Sequence, residues 1–114
     1  MVTIYHNPRC SKSRQTLALL RARGIEPQVI HYLETPPDAA TLRVLLRKLG
    51  ISARELVRKG EPEYRSARLD RSDCTEAEVI EALAAHPGLI ERPIVVSGER
   101  AVLGRPPENV LELP

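Results

Sequence analysis

The spacing of apolar residues predicts a strand, a helix and a second strand in the first third of the chain. Val2–Tyr5 has the β-branched and aromatic composition of a strand, and Asn7–Pro8 is a turn signal. Apolar residues then recur at helical spacing until Gly24 ends the helix. Val29–Tyr32 again has strand composition. Two strands joined by a helix are expected to pair in parallel.

The central part of the chain has the pattern of helices. Thr35 and Asp38 have the spacing of a capping box in front of a leucine-rich helix. Ser52 can cap a short helix, and Thr75–Glu78 is a second capping box that opens another helix. Residues 58–73 are dense in charge, so we expect an irregular loop there with at most one turn of helix.

The last part of the chain predicts a β-hairpin followed by a short helix. Ile94–Val96 is β-branched, Ala101–Leu103 can pair back on it, and Glu108–Leu113 is the expected helix. The order β-α-β, several helices, then β-β-α predicts an α/β fold with a thioredoxin-like mixed sheet. We expect a single domain over residues 1–114, with a helical insert at about 35–88 between the two halves of the sheet.

Composition narrows the class of protein. With 17 Lys and Arg against 15 Asp and Glu, the net charge is +2, which gives no case for nucleic-acid binding. Cys10 and Cys74 are too few and too far apart for a disulfide framework or a zinc site, so no metal is expected. The first residues lack the apolar core of a signal peptide, and no apolar run approaches the roughly 18 residues that span a bilayer. We therefore expect a soluble, cytoplasmic protein with no membrane partner.

Cys10 is the strongest candidate for chemistry, because it lies at or just before the first turn of the first predicted helix. Unpaired N–H groups and the helix dipole favour an anion there, and they can lower a thiol pKa to roughly 3.5–7.5. The side chains expected to add positive potential are His6, Arg9, Lys12 and Arg14. A thiolate at such a place could attack an oxyanion, whereas a lone cysteine near a helix start is more often a small buried filler.

The residues around Cys10 exclude two familiar kinds of thiol site. Cys10–Ser13 reads C-x-x-S, so the second thiol of a dithiol redox pair is missing. The sixth residue after Cys10 is Thr16, where a phosphate-binding loop of the tyrosine-phosphatase kind would need an arginine.

Three arginines lie in loops or beside strands rather than along helices. Arg58 is in the irregular central stretch. Arg92 precedes Pro93, a candidate for a cis peptide bond, and Arg105 precedes Pro106. The fork of donors on a guanidinium matches a tetrahedral oxyanion, so the three arginines could surround one thiolate. An arginine of this kind, taken singly, is more often a surface charge.

Three blocks of sequence together resemble the glutaredoxin-coupled arsenate reductases, the ArsC and Spx-like proteins. The blocks are His6-Asn7-Pro8-Arg9-Cys10-Ser11-Lys12-Ser13-Arg14, Glu91-Arg92-Pro93-Ile94-Val95-Val96 and Gly104-Arg105-Pro106-Pro107-Glu108. The resemblance spans essentially the whole chain, and it implies a thioredoxin-like fold with an inserted helical region.

The resemblance also implies roles for individual residues. Cys10 corresponds to the nucleophile that attacks arsenate. Arg58, Arg92 and Arg105 correspond to the arginines that hold the oxyanion, with Arg65 as the alternative to Arg58. The residues that would support the active-site loop are His6, Asn7, Ser13 and Arg14. Glutathione would be the co-substrate, and glutaredoxin would resolve a cysteine–arsenic–glutathione adduct to release arsenite. No bound cofactor is implied.

Two other functions stay open at this point. A glutathione-dependent monothiol oxidoreductase acting on another substrate would use Cys10 without needing the arginines. An Spx-like transcription regulator is the non-enzymatic alternative, but its redox switch generally uses a C-x-x-C pair, and Ser13 stands at the second cysteine position. Cys74 directly precedes a capping box and is expected to be structural.

Overall fold

The computed structural model describes residues 1–113, so Pro114, the last residue of the predicted domain, lies outside them. The chain divides into two compact units. The first unit comprises residues 1–35 and the chain from Arg92 onward, and the second comprises residues 36–91. The single domain with a helical insert at about 35–88 stays a prediction.

The first unit is built on a four-stranded mixed sheet with the order β2-β1-β3-β4. The strands are β1 Val2–His6, β2 Gln28–His31, β3 Ile94–Ser97 and β4 Arg100–Leu103. Strand β1 pairs in parallel with β2 and antiparallel with β3, and β3 pairs antiparallel with β4. The predicted parallel pair, the hairpin and the α/β class are confirmed.

Helix α1, Ser11–Ala22, and the 3₁₀ helix Pro107–Glu112 pack against each other in this unit. Between the helices and the sheet lies a core cluster of aliphatic side chains, Ile4, Leu20, Val95 and Val110. Burial of such side chains is the main favourable term in folding. The cluster fixes α1 against β1 and β3, and so fixes both ends of the loop between β1 and α1.

The second unit is helical. Its helices are α2 Ala39–Leu49, α3 Pro62–Ser66 and α4 Glu76–Ala85, with 3₁₀ helices at Ala53–Leu56 and Pro87–Leu89. Helix α2 packs against α4, and each contributes three aliphatic side chains to the buried core. An antiparallel bridge joins Val57 to Ile90. The short α3 agrees with the prediction of at most one turn of helix over residues 58–73.

The N-terminal caps of the helices in this unit can be compared with the predicted caps. The capping box expected at Thr75 is present, and Ser52, expected only to cap a short helix, also forms a capping box. The start predicted at Thr35 is wrong, because Asp38 is the N-cap of α2 and accepts the N–H of Thr41 at 2.8 Å. The two prolines in front of Asp38 disfavour helical backbone in the residues that precede them, so the helix begins only after both.

Gly104 lies where the backbone passes close to a side chain of α1. Its N–H donates to the carbonyl of Pro93 at 2.9 Å. The neighbouring Thr16 hydroxyl is fully buried and donates to the carbonyl of Lys12 at 2.7 Å. A Cβ at position 104 would lie 2.8 Å from Pro93 Cγ and would clash with Thr16 Oγ1. The close approach of the segment before Arg105 therefore requires glycine.

We expect Gly104→Ala to lower the free energy of unfolding by about 1–3 kcal/mol, because the added methyl group overpacks a filled region. Urea denaturation followed by circular dichroism measures the change. Gly60→Ala is the matched control, since a Cβ there meets nothing within 4 Å. It should change stability by less than about 0.5 kcal/mol. Equal unfolding midpoints for the two variants would contradict the steric argument.

Candidate active site

The loop between β1 and α1 places Cys10 at the N-cap of α1, with extended backbone. The Cys10 N–H donates to the carbonyl of Asn7 at 3.0 Å, and its carbonyl accepts the N–H of Arg14 at 3.0 Å. The first turn of α1 contains no acidic residue. The free N–H groups and the positive end of the helix dipole therefore act on the sulfur without a competing carboxylate.

Ser13 closes this loop from the inside. The residue is fully buried, its Oγ lies 2.6 Å from Nδ1 of His6, and it accepts the N–H of Asn7 at 3.1 Å. On the outer side, Nη1 of Arg14 donates to the carbonyl of Pro8 at 2.8 Å. The four predicted support residues thus contact the loop or one another, while their effect on the thiol stays a prediction.

His6 contributes a hydrogen bond to this loop through Ser13. Burial lowers the pKa of its imidazole most strongly, and three basic neighbours lower it further. Those neighbours are His31, Arg21 and Arg14. The lowered pKa favours the neutral imidazole, so it counts against the expectation that His6 adds positive potential.

Arg92 and Arg105 bring two guanidinium groups to Cys10. Nη1 of Arg105 lies 3.9 Å from the Cys10 sulfur and donates to the carbonyl of Arg92 at 3.1 Å. Burial is the largest single effect on the pKa of Arg92 and lowers it, but interactions with Cys10 and Tyr32 together make the net shift upward. Two of the three predicted arginines therefore meet at the predicted nucleophile.

The two arginines reach the site from the two ends of the β3–β4 hairpin. Arg92 lies just before β3, and Arg105 lies just after β4. The bond between Arg92 and Pro93 is cis, as its sequence suggested, and the Arg105–Pro106 bond is also cis, which we did not predict. The Asn109 side chain donates to the carbonyl of Arg105 at 3.3 Å and holds the segment that follows β4.

Three groups oppose the effect of burial on the pKa of the Cys10 thiol. Burial raises the thiol pKa, but the N–H of Ser13, the Arg92 guanidinium and the N–H of Lys12 together bring it below its ordinary value. Both N–H groups belong to the first turn of α1, where backbone N–H groups lack intrahelical partners. The lowered pKa favours the thiolate, which is the nucleophilic form of cysteine.

Arg58 belongs to the second unit. Its Nη1 lies 3.1 Å from Oε1 of Glu91 in a partly buried ion pair, and its N–H donates to the carbonyl of Leu89 at 2.7 Å. Within residues 1–113, its Nε is buried without a hydrogen-bond partner. Arg65, the alternative, is exposed on α3. The role of Arg58 at the oxyanion stays a prediction.

Cys74 also belongs to the second unit, where it lies beside an ion pair. Nη2 of Arg71 is 3.6 Å from the Cys74 sulfur and 2.9 Å from Oε2 of Glu78. The pKa of Glu78 is lowered to about 2, mainly by the hydrogen bond from the N–H of Thr75 and further by Arg71. The structural role expected of Cys74 stays a prediction.

Sequence analysis missed two residues that contribute to this site. Tyr32 was assigned only to a strand, and Asn109 only to the last helix. A polar side chain at the carboxyl end of a parallel strand is the signal that marks Tyr32, since ligands bind at that edge of a sheet. No local pattern marks Asn109, whose side chain bonds the carbonyls of Leu103 and Arg105.

We expect Cys10 to react with iodoacetamide at a pH below the range of an ordinary thiol, because its pKa is lowered. Replacing the guanidinium in Arg92→Gln should move the midpoint of the alkylation rate to higher pH, because a cation that favours the thiolate is lost. The measurement is the rate against pH in a Cys74→Ser background, which leaves one thiol. Identical profiles with and without Arg92→Gln would contradict the contribution of Arg92.

Comparison with known proteins identifies the family of this chain. The model of the ArsC family matches residues 5–113. The uncharacterized protein YfgD of Escherichia coli K12 is 58% identical over 113 residues, which cover 98% of this chain and 95% of that protein. An arsenate reductase of Haemophilus influenzae is 48% identical over 113 residues, which cover 98% and 97% of the two chains.

Solved structures show the same likeness. An arsenate reductase from Vibrio cholerae superposes with a TM-score of 0.96 at 51% identity, and the match covers 99% of this chain and 97% of that one. In the part of the chain that the structure describes, no helix is long and apolar enough to cross a membrane. The predicted resemblance is confirmed, and the chain belongs to the ArsC family, with its thioredoxin-like fold.

Proposed function

We propose that this protein is an arsenate reductase that uses the Cys10 thiolate as its nucleophile, glutathione as co-substrate and glutaredoxin as resolving partner. The observation that carries the proposal is the position of the Cys10 sulfur, at a helix start and next to the guanidinium groups of Arg92 and Arg105. Family relatives with 46–48% identity that are named arsenate reductases support the same activity.

The donors around Cys10 suit a tetrahedral oxyanion. A guanidinium presents paired N–H donors that match two oxygens of such an anion, and a helix start adds backbone N–H groups. Because Arg105 lies 3.9 Å from the sulfur, an oxyanion held by its fork would be within reach of the thiolate. The two guanidinium charges would offset the repulsion between thiolate and oxyanion as they approach.

The first chemical step would join sulfur to arsenic. The Cys10 thiolate attacks arsenic(V), one arsenic oxygen leaves as water after protonation, and a thiolate ester of arsenate remains on the enzyme. Oxidation states do not change in this step. Arg92 and Arg105 would hold the remaining oxygens, so the charge that moves onto them is stabilised by groups already in place.

The reduction itself needs two electrons, and the C-x-x-S loop offers a single thiol. Glutathione would displace a second arsenic oxygen as water and form a Cys10–arsenic–glutathione adduct. A glutaredoxin thiolate would then attack the glutathione sulfur, leaving the electron pair of the arsenic–sulfur bond on arsenic, which becomes arsenic(III). The mixed disulfide of glutaredoxin and glutathione departs. Water then releases arsenite from Cys10.

Two further parts of the proposal rest on the resemblance. Arg58 would join Arg92 and Arg105 in holding the oxyanion or a later intermediate. The protein would work in the cytoplasm, where the reducing thiol pool keeps Cys10 free and supplies glutathione.

We expect Cys10→Ser to abolish arsenate-dependent NADPH oxidation in an assay coupled to glutathione, glutaredoxin and glutathione reductase, because a serine hydroxyl is not ionised at neutral pH. Cys74→Ser is the matched control and should keep nearly the full rate.

The same assay separates the alternatives. Turnover that persists in Cys10→Ser would place the nucleophile elsewhere, and loss of turnover in Cys74→Ser would give that thiol a resolving role. If the wild type ignores arsenate but reduces a glutathione mixed disulfide, the protein is a monothiol oxidoreductase with another substrate. Inactivity toward both would favour a regulatory binding protein.

Arg92→Lys should lower kcat/KM for arsenate by roughly tenfold or more, although it keeps the charge, because lysine lacks the planar fork. Steady-state kinetics with arsenate as the varied substrate measures the loss. Arg100→Lys is the matched control, because Arg100 is an exposed arginine of the same hairpin. An unchanged kcat/KM in Arg92→Lys would argue against direct contact between its fork and the substrate.

A further inference from the structure

The Tyr32 hydroxyl is a buried polar group for which the fold provides no partner. Tyr32 directly follows β2, and the residue is 1% exposed. Its hydroxyl makes no hydrogen bond within the part of the chain that the structure describes. Buried hydroxyl groups in native structures are nearly always hydrogen-bonded, so an isolated one indicates a partner that comes from outside the chain.

The hydroxyl lies close to the proposed nucleophile. Burial raises the pKa of Tyr32 most strongly, and the charge on Cys10 adds to that effect. Arg92 and Asn7 act in the opposite direction, so both are near the phenol. Neither completes a hydrogen bond to it among residues 1–113.

A second unsatisfied atom lies in the same place. Nε of Arg92 is also buried and makes no hydrogen bond to any described residue. The Arg92 guanidinium is close enough to both the Cys10 sulfur and the Tyr32 hydroxyl to interact electrostatically with each of them. Two polar atoms that lack partners therefore lie beside one thiol, as they would around a site made for a small polar ligand.

We propose that Tyr32 is a substrate-contacting residue of this site, and that its hydroxyl forms a hydrogen bond with an oxygen of the bound oxyanion. The proposal rests on the proposed function for the identity of that oxyanion as arsenate. Nε of Arg92 would be satisfied by the same anion, so one ligand would supply both missing partners.

The phenol of Tyr32 can accept a hydrogen bond, which the other proposed ligand-binding groups cannot do. Guanidinium groups and backbone N–H groups can only donate hydrogen bonds. Arsenate and phosphate keep a proton on some of their oxygens near neutral pH, and that O–H needs an acceptor. The oxygen of Tyr32 can accept from a protonated oxygen or donate to a bare one, so it suits either form of the anion.

Tyr32→Phe removes the hydroxyl and keeps the ring. The probe is inorganic phosphate, which cannot be reduced, and the readout is the phosphate concentration that halves the rate of Cys10 alkylation in a Cys74→Ser background. We expect that concentration to rise about tenfold or more, as for loss of a hydrogen bond to a charged partner. The thermal unfolding midpoint without phosphate should stay the same or rise, because the variant loses an unsatisfied buried hydroxyl.

Tyr5→Phe is the matched control. Tyr5 lies on β1 in the same unit, and burial is the cause that raises its pKa, with no contribution from Cys10 or Arg92. This variant should keep the wild-type half-protecting concentration. The proposal is overturned if the same phosphate concentration halves the alkylation rate in Tyr32→Phe and in the wild type. A lowered unfolding midpoint in Tyr32→Phe also overturns it, because the hydroxyl would then serve the fold.

The phosphate measurement does not depend on arsenate reduction. If the wild type reduces no arsenate but its protection by phosphate requires the Tyr32 hydroxyl, the proposed function fails and the oxyanion contact stands. If arsenate is reduced and Tyr32→Phe is protected like the wild type, the contact alone fails. Absence of phosphate protection in the wild type would overturn the contact as well.

Discussion

The positive electrostatic field at the start of α1 is the central constraint on the first unit, and the surrounding loop and arginines maintain it. A sulfur atom occupies the N-cap position, the first turn carries no carboxylate, and two guanidinium groups lie beside it. An anion is stable there only while the loop keeps its shape. Ser13 maintains that shape from inside, through the imidazole of His6 and the N–H of Asn7. The proposed nucleophile is thus positioned by backbone geometry as much as by charged side chains.

The second requirement of the site is the strand pairing of the β3–β4 hairpin, which positions two arginines. Arg92 and Arg105 flank this hairpin, so its register determines how far apart their backbones lie. The carbonyl of Arg92 accepts from Arg105, which ties one arginine to the other before any substrate arrives. Packing at Gly104 brings the returning chain against α1, the helix that carries Cys10. Core packing and site geometry are therefore one problem in this part of the protein.

Local patterns predicted much of this architecture because local physics produces it. Strand composition, the turn at Asn7–Pro8 and the box at Thr75 each act within a few residues. The contact between Arg105 and Cys10 spans 95 positions, so no spacing rule could predict it, and the resemblance to a family supplied it. The charge of His6 and the burial of Tyr32 depend on neighbours from other elements, which is why sequence reasoning misjudged one and missed the other.

The lowered pKa of His6 has a consequence for how the charge around Cys10 would depend on pH. Arginine side chains keep their charge at every physiological pH. Because the pKa of His6 is lowered, protonation of the ring that borders the loop is displaced to lower pH. The two arginines beside Cys10 therefore keep their charge over the pH range in which a histidine ordinarily titrates, and His6 adds its own charge only at the acidic end of that range.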